Sequence, residues 1–157
     1  MFSIIAAIGK NNELGKANRL VFHIKDDMKH FREQTSGHKV VMGRKTWDSL
    51  PGKLSGRENI VISRHSFNGP DLIVNDVDQF IKDNIDTEEE IYIIGGGTIY
   101  QTFLPYAKHL YLTEVDASDP DADVFFPSFD KSSYSQTLIR KGTENGLEYS
   151  IIKYSKA

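Results

Sequence analysis

The stretch that decides the fold is Ile91-Tyr92-Ile93-Ile94-Gly95-Gly96-Gly97-Thr98. Its first four residues form a continuous apolar run, which is typical of a strand covered on both faces and hence of a largely parallel sheet between helices. An apolar strand followed by a turn recurs at Val40-Val41-Met42-Gly43 and at Ile60-Val61-Ile62-Ser63. Alternation of such strands with helical segments indicates an α/β fold.

The remaining segments extend this pattern along the chain. Strands are predicted over 2–8, 39–42, 59–62, 71–74, 90–94 and 110–115, and helices over 25–35, 44–50, 77–84 and 98–104. Two further strands, over 133–141 and 147–155, flank Asn145-Gly146, a strong hairpin signal. We predict a single α/β domain over 1–157, with a central, mostly parallel twisted sheet of about eight strands, about four flanking helices and an antiparallel C-terminal hairpin.

The composition restricts the classes of function. The chain has 157 residues and a net charge of −3, whereas a generic binder of nucleic acid or of an anionic membrane is basic, so we expect neither partner. The chain has no cysteine, which excludes disulfides, thiolate catalysis and cysteine-based metal sites. The apolar run over 2–8 is too short for a membrane span and has no signal-peptide features. We therefore expect a cytoplasmic protein and, in addition, a monomer.

Three strand ends carry residues suited to binding an anion. Gly95-Gly96-Gly97 permits close approach of a ligand to the backbone, and the helix that follows begins with free N–H groups. The run lacks the dinucleotide fingerprint spacing, so a tight turn without a ligand is the alternative. Arg44 and Lys45 open a helix, where the dipole disfavours cations unless an anion is bound, and Arg64 follows another strand. Ordinary surface charge is the alternative at both places.

One acid lies in an unusual position. The apolar stripe of the first predicted helix comprises Ile24, Met28, Phe31 and Thr35. Asp27 lies on the shoulder of this stripe, where a carboxylate must be paired or protonated. Asp27 is therefore a candidate functional acid. The alternative is that it caps the first helical turn, a role that Asp26 would fill equally well.

Other common sites are not supported. Asp119, Asp121 and Asp123 resemble the start of a calcium loop, but Val124 occupies the position that requires glycine. The histidines show no metal-ligand spacing, so no metal is expected. The chain contains no G-x-S-x-G elbow, and the segment over 37–46 has neither the spacing nor the loop character of a Walker A motif.

The motifs, in their order along nearly the whole chain, closely resemble the dihydrofolate reductase family of the bacterial chromosomal type. The matching segments are Ile4-Ile5-Ala6-Ala7, Gly15 with Asn18, Asp27 with Phe31, Val41-Met42-Gly43-Arg44-Lys45-Thr46-Trp47, Gly56-Arg57, Ile94-Gly95-Gly96-Gly97 with Tyr100, Tyr111-Leu112-Thr113, and Asp123 with Phe125-Phe126-Pro127. The resemblance implies an enzyme that transfers a hydride from NADPH to C6 of 7,8-dihydrofolate, with protonation at N5. The product would be tetrahydrofolate for one-carbon metabolism, and antifolates would be inhibitors.

The resemblance also implies a substrate site around Asp27. This carboxylate would accept the N3–H and the 2-amino group of the pterin, and Thr113 would anchor the same network. Leu20 and Phe22 would complete the catalytic group, and Arg57 would bind the α-carboxylate of the glutamyl tail. The implied pterin-lining residues are Ile5, Ala6, Met28, Phe31, Leu54, Ile94 and Tyr100.

The implied cofactor site is an extended NADPH groove across the carboxyl ends of the strands. Residues Ala6, Ala7, Asn18 and Leu20 would line the nicotinamide side. Lys45, Thr46, Gly95, Gly96, Gly97 and Thr98 would hold the pyrophosphate, and Arg44, Ser63 and Arg64 the adenosine 2′-phosphate. The further implied cofactor residues are Leu14, Gly15, Gly43, Ile62, Ile94, Ile99 and Tyr100.

Some positions depart from the usual family pattern. Leu-Pro-Trp is replaced by Leu20-Val21-Phe22. Phe22 lacks the indole N–H that normally holds an active-site water, and Val21 frees a φ angle that proline fixes. Val124 stands where threonine is common, and Met28 where leucine is frequent.

Two other functions remain open on the sequence. A related reductase acting on a ribosylated pyrimidine in riboflavin synthesis would need a phosphate-binding pocket in place of Asp27, Phe31 and Arg57. A folate- or nucleotide-binding protein without catalysis is the second alternative, with Phe22 as its sign.

Overall fold

The computed structural model describes residues 1–16 and 19–156, with the backbone alone at residues 19 and 20. In this part of the chain the strands are β1 (Phe2–Ile8), β2 (Glu13–Lys16), β3 (Arg19–Leu20), β4 (Lys39–Gly43), β5 (Glu58–Ile62), β6 (Leu72–Val74), β7 (Ile91–Gly95), β8 (Ala107–Val115), β9 (Val124–Phe125), β10 (Tyr134–Glu144) and β11 (Leu147–Lys156). The α-helices are α1 (Lys25–Thr35), α2 (Arg44–Ser49), α3 (Val77–Asn84) and α4 (Gly97–Phe103).

The predicted α/β fold class is confirmed. Eight strands form one sheet in the order β10-β11-β8-β1-β7-β4-β5-β6. The pairs from β8 through β1, β7, β4 and β5 to β6 are parallel, whereas β11 pairs antiparallel with both β8 and β10. Every predicted strand and helix is present, and β8 begins three residues earlier than expected, at Ala107.

A second, small sheet was not predicted. Strands β3, β2 and β9 pair antiparallel in this order. They contain two, four and two residues, too few for a hydrophobic period to be recognised. This small sheet joins the segment before α1 to the segment after β8.

The register of the main sheet brings three strand ends together. Gly43 at the end of β4 is paired with Ile62 at the end of β5, and Met42 is paired with Gly95 at the end of β7. Because these strands are parallel, the turns that follow them lie at one edge of the sheet. The anion-binding candidates of the sequence therefore share one edge.

The sheet is buried on both faces. On one face Ile4, Ile93 and Leu112 lie in a core with Ile81 of α3 and Phe103 of α4. On the other face the core consists of Ile5, Val40, Met42, Val61, Tyr92 and Tyr111, against which Phe31 and Trp47 pack. Burial on both faces is the reason that the central strands are continuously apolar.

The buried face of α1 differs from the predicted stripe. Ile24 and Thr35 are buried as expected, but 48% of Met28 is exposed, so the placement of Met28 in the core was wrong. His30 is buried instead, with only 4% exposed, and its ring lies 6.2 Å from that of Tyr111. The helix is therefore rotated so that its buried face includes a residue that polarity alone places outside.

The C-terminal hairpin has the turn that its sequence predicts. Asn145 and Gly146 have φ angles of 51° and 79°, and Glu144 pairs directly with Leu147. Two successive positive φ angles define a two-residue turn that suits the twist of paired strands, and Asn-Gly is the favoured sequence for it.

The buried sheet supplies a first test of the fold. Leu112 is fully buried in β8, and we expect Leu112→Ala to lower the free energy of unfolding by about 2–5 kcal/mol, because a cavity is left in a packed core. Leu138→Ala in β10 is the matched control, since 55% of Leu138 is exposed and a change within about 0.5 kcal/mol is expected. Urea denaturation measures both. Equal losses in the two variants would contradict the assigned core.

Candidate active site

The acid singled out by the sequence is bound by a hydroxyl of the central sheet. Thr113 Oγ1 donates a hydrogen bond of 2.6 Å to Asp27 Oδ1. Thr113 lies in β8, is 1% exposed and is paired with Ala7 of β1. Asp27 in the first turn of α1 is therefore held over β8 of the sheet.

Neither aspartate is the N-cap residue of α1, although both lie in its first turn, where the helix dipole favours acids. The N-cap position is Ile24, which makes no side-chain capping bond. The missing acceptor comes from the hairpin, because the Glu144 carboxylate accepts from Lys25 N at 2.9 and 3.1 Å. Asp26 accepts from Arg140 and Tyr149 instead. Since capping does not explain Asp27, its inward position needs another explanation.

The two adjacent carboxylates have opposite electrostatic environments. Burial raises the pKa of Asp27, opposed in part by the Thr113 hydrogen bond and reinforced by the negative charge of Asp26. The hydrogen bond from Arg140 lowers the pKa of Asp26. The site thus does not neutralise the charge of Asp27. This is expected of a group that binds a cationic ligand or a ligand with several hydrogen-bond donors.

Apolar side chains form a wall beside Asp27. Ile5 is buried in the core on the α1 face of the sheet, and Phe31, Leu54 and Ile94 pack against it, partly exposed. Four predicted pterin-lining residues therefore belong to one cluster. Met28 is not part of this cluster and stands largely exposed on the same helix turn as Asp27.

Tyr100 closes the site from α4. Its hydroxyl donates to the carbonyl oxygen of Ile5 at 2.8 Å, and the side chain is 5% exposed. Burial, and secondarily the negative charge of Asp27, raise the pKa of this hydroxyl. Tyr100 therefore stays protonated and is a structural donor to β1 at the predicted site.

Arg57 is a cation without an acidic partner. Its Nε donates to the Ser55 carbonyl at 3.0 Å, and its Nη1 donates to Thr35 Oγ1 at 3.1 Å. Its guanidinium carbon lies 5.9 Å from the centre of the Phe31 ring. No carboxylate of the described residues forms an ion pair with it, and burial lowers its pKa. An uncompensated guanidinium beside an apolar wall suits a ligand that carries a carboxylate.

A side chain at the glycines of the two turns would contact residues that the sequence predicts to bind the same ligand. Gly95 has a φ of 140°, and a Cβ there would lie 3.2 Å from Thr46 Oγ1. A Cβ on Gly96 would also contact Thr46 Oγ1, at 3.5 Å, and one on Gly43 would lie 3.0 Å from Ile99. The turns after β4 and β7 therefore form one cradle of bare backbone with a hydroxyl between them.

The predicted phosphate-binding cations differ in their partners. Arg44 is ion-paired with Asp48 at 3.0 Å and stacks 3.7 Å above the Phe67 ring. Ser63 Oγ donates to the His65 carbonyl at 2.9 Å. Lys45, Arg64 and Thr98 are exposed, and neither Lys45 nor Arg64 has an ion pair with a described residue. Of these two cations without an ion pair to a described residue, Arg64 is the one that adjoins Ser63.

The segment before α1 shows the effect of two departures from the family pattern. Val21 N donates to the Leu14 carbonyl at 3.2 Å, a bond that proline has no hydrogen to make. Phe22 packs against the apolar group around Ile24 and Val115. The predicted roles of Asn18 and of the Leu20 side chain lie outside the described residues, whereas Leu14 is buried and Gly15 pairs with Val124.

A model of the dihydrofolate reductase family matches residues 1–156. The chain belongs to the dihydrofolate reductase family. It is 34% identical over 165 residues to a dihydrofolate reductase of Bacillus subtilis (strain 168), covering 99% of this chain and 95% of that protein. A dihydrofolate reductase of Haemophilus influenzae is 40% identical over 126 residues, which are 80% of this chain and 78% of that protein.

A solved structure agrees with the fold. It is described as dihydrofolate reductase from Enterococcus faecalis complexed with NADP(H) and RAB-propyl, and its TM-score is 0.88. The match covers 99% of this chain and 96% of that one at 23% identity. No helix in the described residues is long and apolar enough to cross a membrane, and no cluster of metal-ligating residues is found among them.

One buried acid of this family member was missed from the sequence. Glu13 in β2 is 1% exposed, and its carboxylate accepts from Asn11 N at 2.7 Å and from Asp119 N at 2.6 Å. It therefore ties the segment after β1 to the segment after β8. Its partner Asp119 is 106 residues away in the sequence, so no local sequence pattern predicts the contact.

The environment of Asp27 makes a prediction about stability. Its folded-state pKa is raised, so its contribution to stability is present at low pH and is lost as the pH rises through that value. Asp27→Asn keeps an oxygen that accepts from Thr113 but removes the buried charge. We expect it to raise the free energy of unfolding at neutral pH by more than about 0.5 kcal/mol, the scatter of surface substitutions.

The adjacent Asp26→Asn is the control, and it should destabilise at neutral pH, because the pKa of Asp26 is lowered by its partner Arg140. Urea denaturation at neutral and at acidic pH measures both variants. The gain from Asp27→Asn should shrink in acid, where Asp27 of the wild type is protonated. A loss of stability at neutral pH would refute the assigned environment.

Proposed function

We propose that the protein is an NADPH-dependent dihydrofolate reductase that transfers a hydride to C6 of 7,8-dihydrofolate, with protonation at N5, yielding 5,6,7,8-tetrahydrofolate. The observation that carries the proposal is the inward-facing Asp27, held by Thr113 beside an apolar wall. Family membership supports the same reaction. Each group of residues in the site has a task of its own in this reaction.

The first task is orientation of the pterin. The N3–H and 2-amino groups form a donor pair that one carboxylate accepts side by side. Asp27 Oδ1 already accepts from Thr113, and each carboxylate oxygen has a further lone pair for the ligand. Ile5, Phe31 and Ile94 supply the apolar surfaces between which a flat ring is held.

The second task is electrostatic. The ring becomes more positive as N5 gains a proton, and the Asp27 anion in a buried setting stabilises that charge. A carboxylate bound at N3 is too distant to protonate N5, so water delivers the proton. Phe22 shields this side of the site without the donor that a tryptophan would offer.

The third task is recognition of the glutamyl tail. Arg57 is partly buried next to Phe31 and has no described carboxylate partner. A guanidinium binds a carboxylate through two parallel hydrogen bonds, so Arg57 would bind the α-carboxylate. The pocket of the rival ribosylated pyrimidine would instead require a phosphate site at this position.

The cradle between Gly43, Thr46 and Gly95 fits the cofactor. NADPH supplies the hydride when it is bound. Gly95 and Gly96 carry no side chain, and a Cβ at either would lie 3.2 or 3.5 Å from Thr46 Oγ1, so bare backbone and this hydroxyl stand close together as the groups that would bind a pyrophosphate. Arg64 and Ser63 follow β5 at the same sheet edge and would bind the 2′-phosphate, with Lys45 and Arg44 nearby. The same site would accept antifolates, and we propose that the chain acts as a monomer of one domain.

The deciding experiment mixes the protein with NADPH and dihydrofolate and follows the ultraviolet absorbance of NADPH. Wild type should consume NADPH only when dihydrofolate is present. Asp27→Asn should lower kcat/KM at neutral pH on the order of 100-fold, as loss of a preorganised electrostatic group does. Asp83→Asn on the exposed side of α3 is the matched control and should be unchanged.

Three results would contradict the proposal. Binding of dihydrofolate without consumption of NADPH would favour the non-catalytic binding protein. Turnover of a ribosylated pyrimidine alone would favour the rival reductase. Full activity of Asp27→Asn would remove Asp27 from the reaction.

A further inference from the structure

A charged clamp holds the first turn of α1 from the C-terminal hairpin. Arg140 Nε donates to both carboxylate oxygens of Asp26, at 2.9 and 3.0 Å, and Arg140 Nη2 lies 2.8 Å from Asp26 Oδ1. Tyr149 donates its hydroxyl to Asp26 Oδ2 at 2.9 Å. We call Asp26, Arg140 and Tyr149 the Asp26 clamp. It acts on the residue directly before Asp27.

A bulge in β10 places Arg140 in this clamp. Leu138 is paired with Ile152 and Arg140 with Ile151, so Ile139 is an extra residue without a partner. Directly paired residues of antiparallel strands share a face. Ile151 packs in the apolar group with Ile24, next to α1. In a regular ladder Ile139 would be paired with Ile151 and Arg140 with Ser150, so the Arg140 side chain would point away from α1.

The hairpin also binds α1 at a second point. The Glu144 carboxylate accepts from Lys25 N and so supplies the cap that Ile24 cannot. Lys25 and Asp26, the two residues directly before Asp27, are therefore both bound to β10. An ordinary helix cap comes from a neighbouring residue, whereas this one comes from 119 residues away.

The charges around Asp27 give the clamp an electrostatic consequence. On α1 itself Asp26 raises the pKa of Asp27, and Lys29 faces Asp26. His30 is buried, and burial lowers its pKa, so it adds no positive charge at neutral pH. From the sheet side Thr113 donates to Asp27 and Tyr149 donates to Asp26, and the protonated Tyr100 from α4 interacts electrostatically with Asp27. Arg140 is the cation that directly compensates Asp26 within the described residues.

We propose that Arg140 is a positioning residue for the reaction. It fixes the first turn of α1 and neutralises Asp26, so that the negative charge of Asp26 does not disfavour the anionic form of Asp27 that binds the substrate. This proposal rests on the proposed role of Asp27 as the pterin-binding acid. Arg140 touches neither substrate nor cofactor. It acts through Asp26 and the backbone that carries Asp27.

The test compares variants that remove opposite charges from the clamp. In the ligand-free protein the pKa of Asp27 is measured by carbon NMR of its labelled carboxyl group. Arg140→Gln leaves Asp26 uncompensated and should raise the pKa of Asp27. Asp26→Asn removes the anion and leaves Arg140 unpaired, so it should lower the pKa of Asp27. Lys141→Gln, the next residue of β10 and exposed, is the matched control and should leave it unchanged.

Steady-state kinetics give a second readout. Arg140→Gln should lower kcat for dihydrofolate about twofold to fivefold, the size expected of a partly exposed ion pair, with KM for NADPH unchanged. Arg140→Lys keeps the charge and should keep the pKa of Asp27 near that of wild type. If Arg140→Gln fails to fold, the contrast between Asp26→Asn, which should lower the pKa of Asp27, and Arg140→Lys, which should not, keeps the test decisive.

A structural role without electrostatic coupling predicts a different pattern. If Arg140→Gln and Asp26→Asn shift the pKa of Asp27 in the same direction, or not at all, the proposal is overturned. It is overturned as well if Arg140→Lys shifts this pKa as Asp26→Asn does. Because the NMR titration needs no substrate, inactivity of the wild type toward dihydrofolate would refute the proposed function separately.

Discussion

The hydrogen bond from Thr113 to Asp27 joins the central sheet to the helix that covers it. It leaves a carboxylate buried enough for its pKa to rise, yet anchored at one oxygen. A charge in such a place is costly, and proteins keep it where a ligand restores the lost interactions. The apolar wall lies on the face of the sheet that α1 covers, and Arg57, which has no ion pair with a described residue, binds Thr35 at the end of the same helix.

The cradle exists because parallel strands end together. Gly43, Ile62 and Gly95 lie on three neighbouring strands, and the register of β4 with β5 and β7 brings their turns to one edge. A Cβ at Gly95 or Gly96 would lie within 3.5 Å of Thr46 Oγ1, so the two turns approach each other closely. The acid lies over β8 and the cradle over β4 and β7, with β1 between them. A ligand pair placed across β1 would therefore meet both.

Local patterns predicted much of this architecture, and distant partners explain what they missed. Asn145-Gly146 specifies its turn by backbone preference alone, and the apolar runs specify buried strands. The small sheet escaped because its strands are two to four residues long. Met28 is exposed and His30 is buried with its ring 6.2 Å from that of Tyr111, so the apolar stripe of α1 did not identify its whole buried face. Asp27 was suspected from its helical position, whereas its anchor Thr113 is 86 residues away and was named only through the family resemblance.

The central claim is that Asp27 binds the edge of the pterin, and a crystal structure of the protein with dihydrofolate or folate and oxidised cofactor tests it most directly. The account predicts two hydrogen bonds of about 2.7–2.9 Å from the pterin N3 and 2-amino nitrogens to the Asp27 carboxylate, with the Thr113 bond retained. A carboxylate turned to solvent, or a pterin lodged elsewhere, would contradict it.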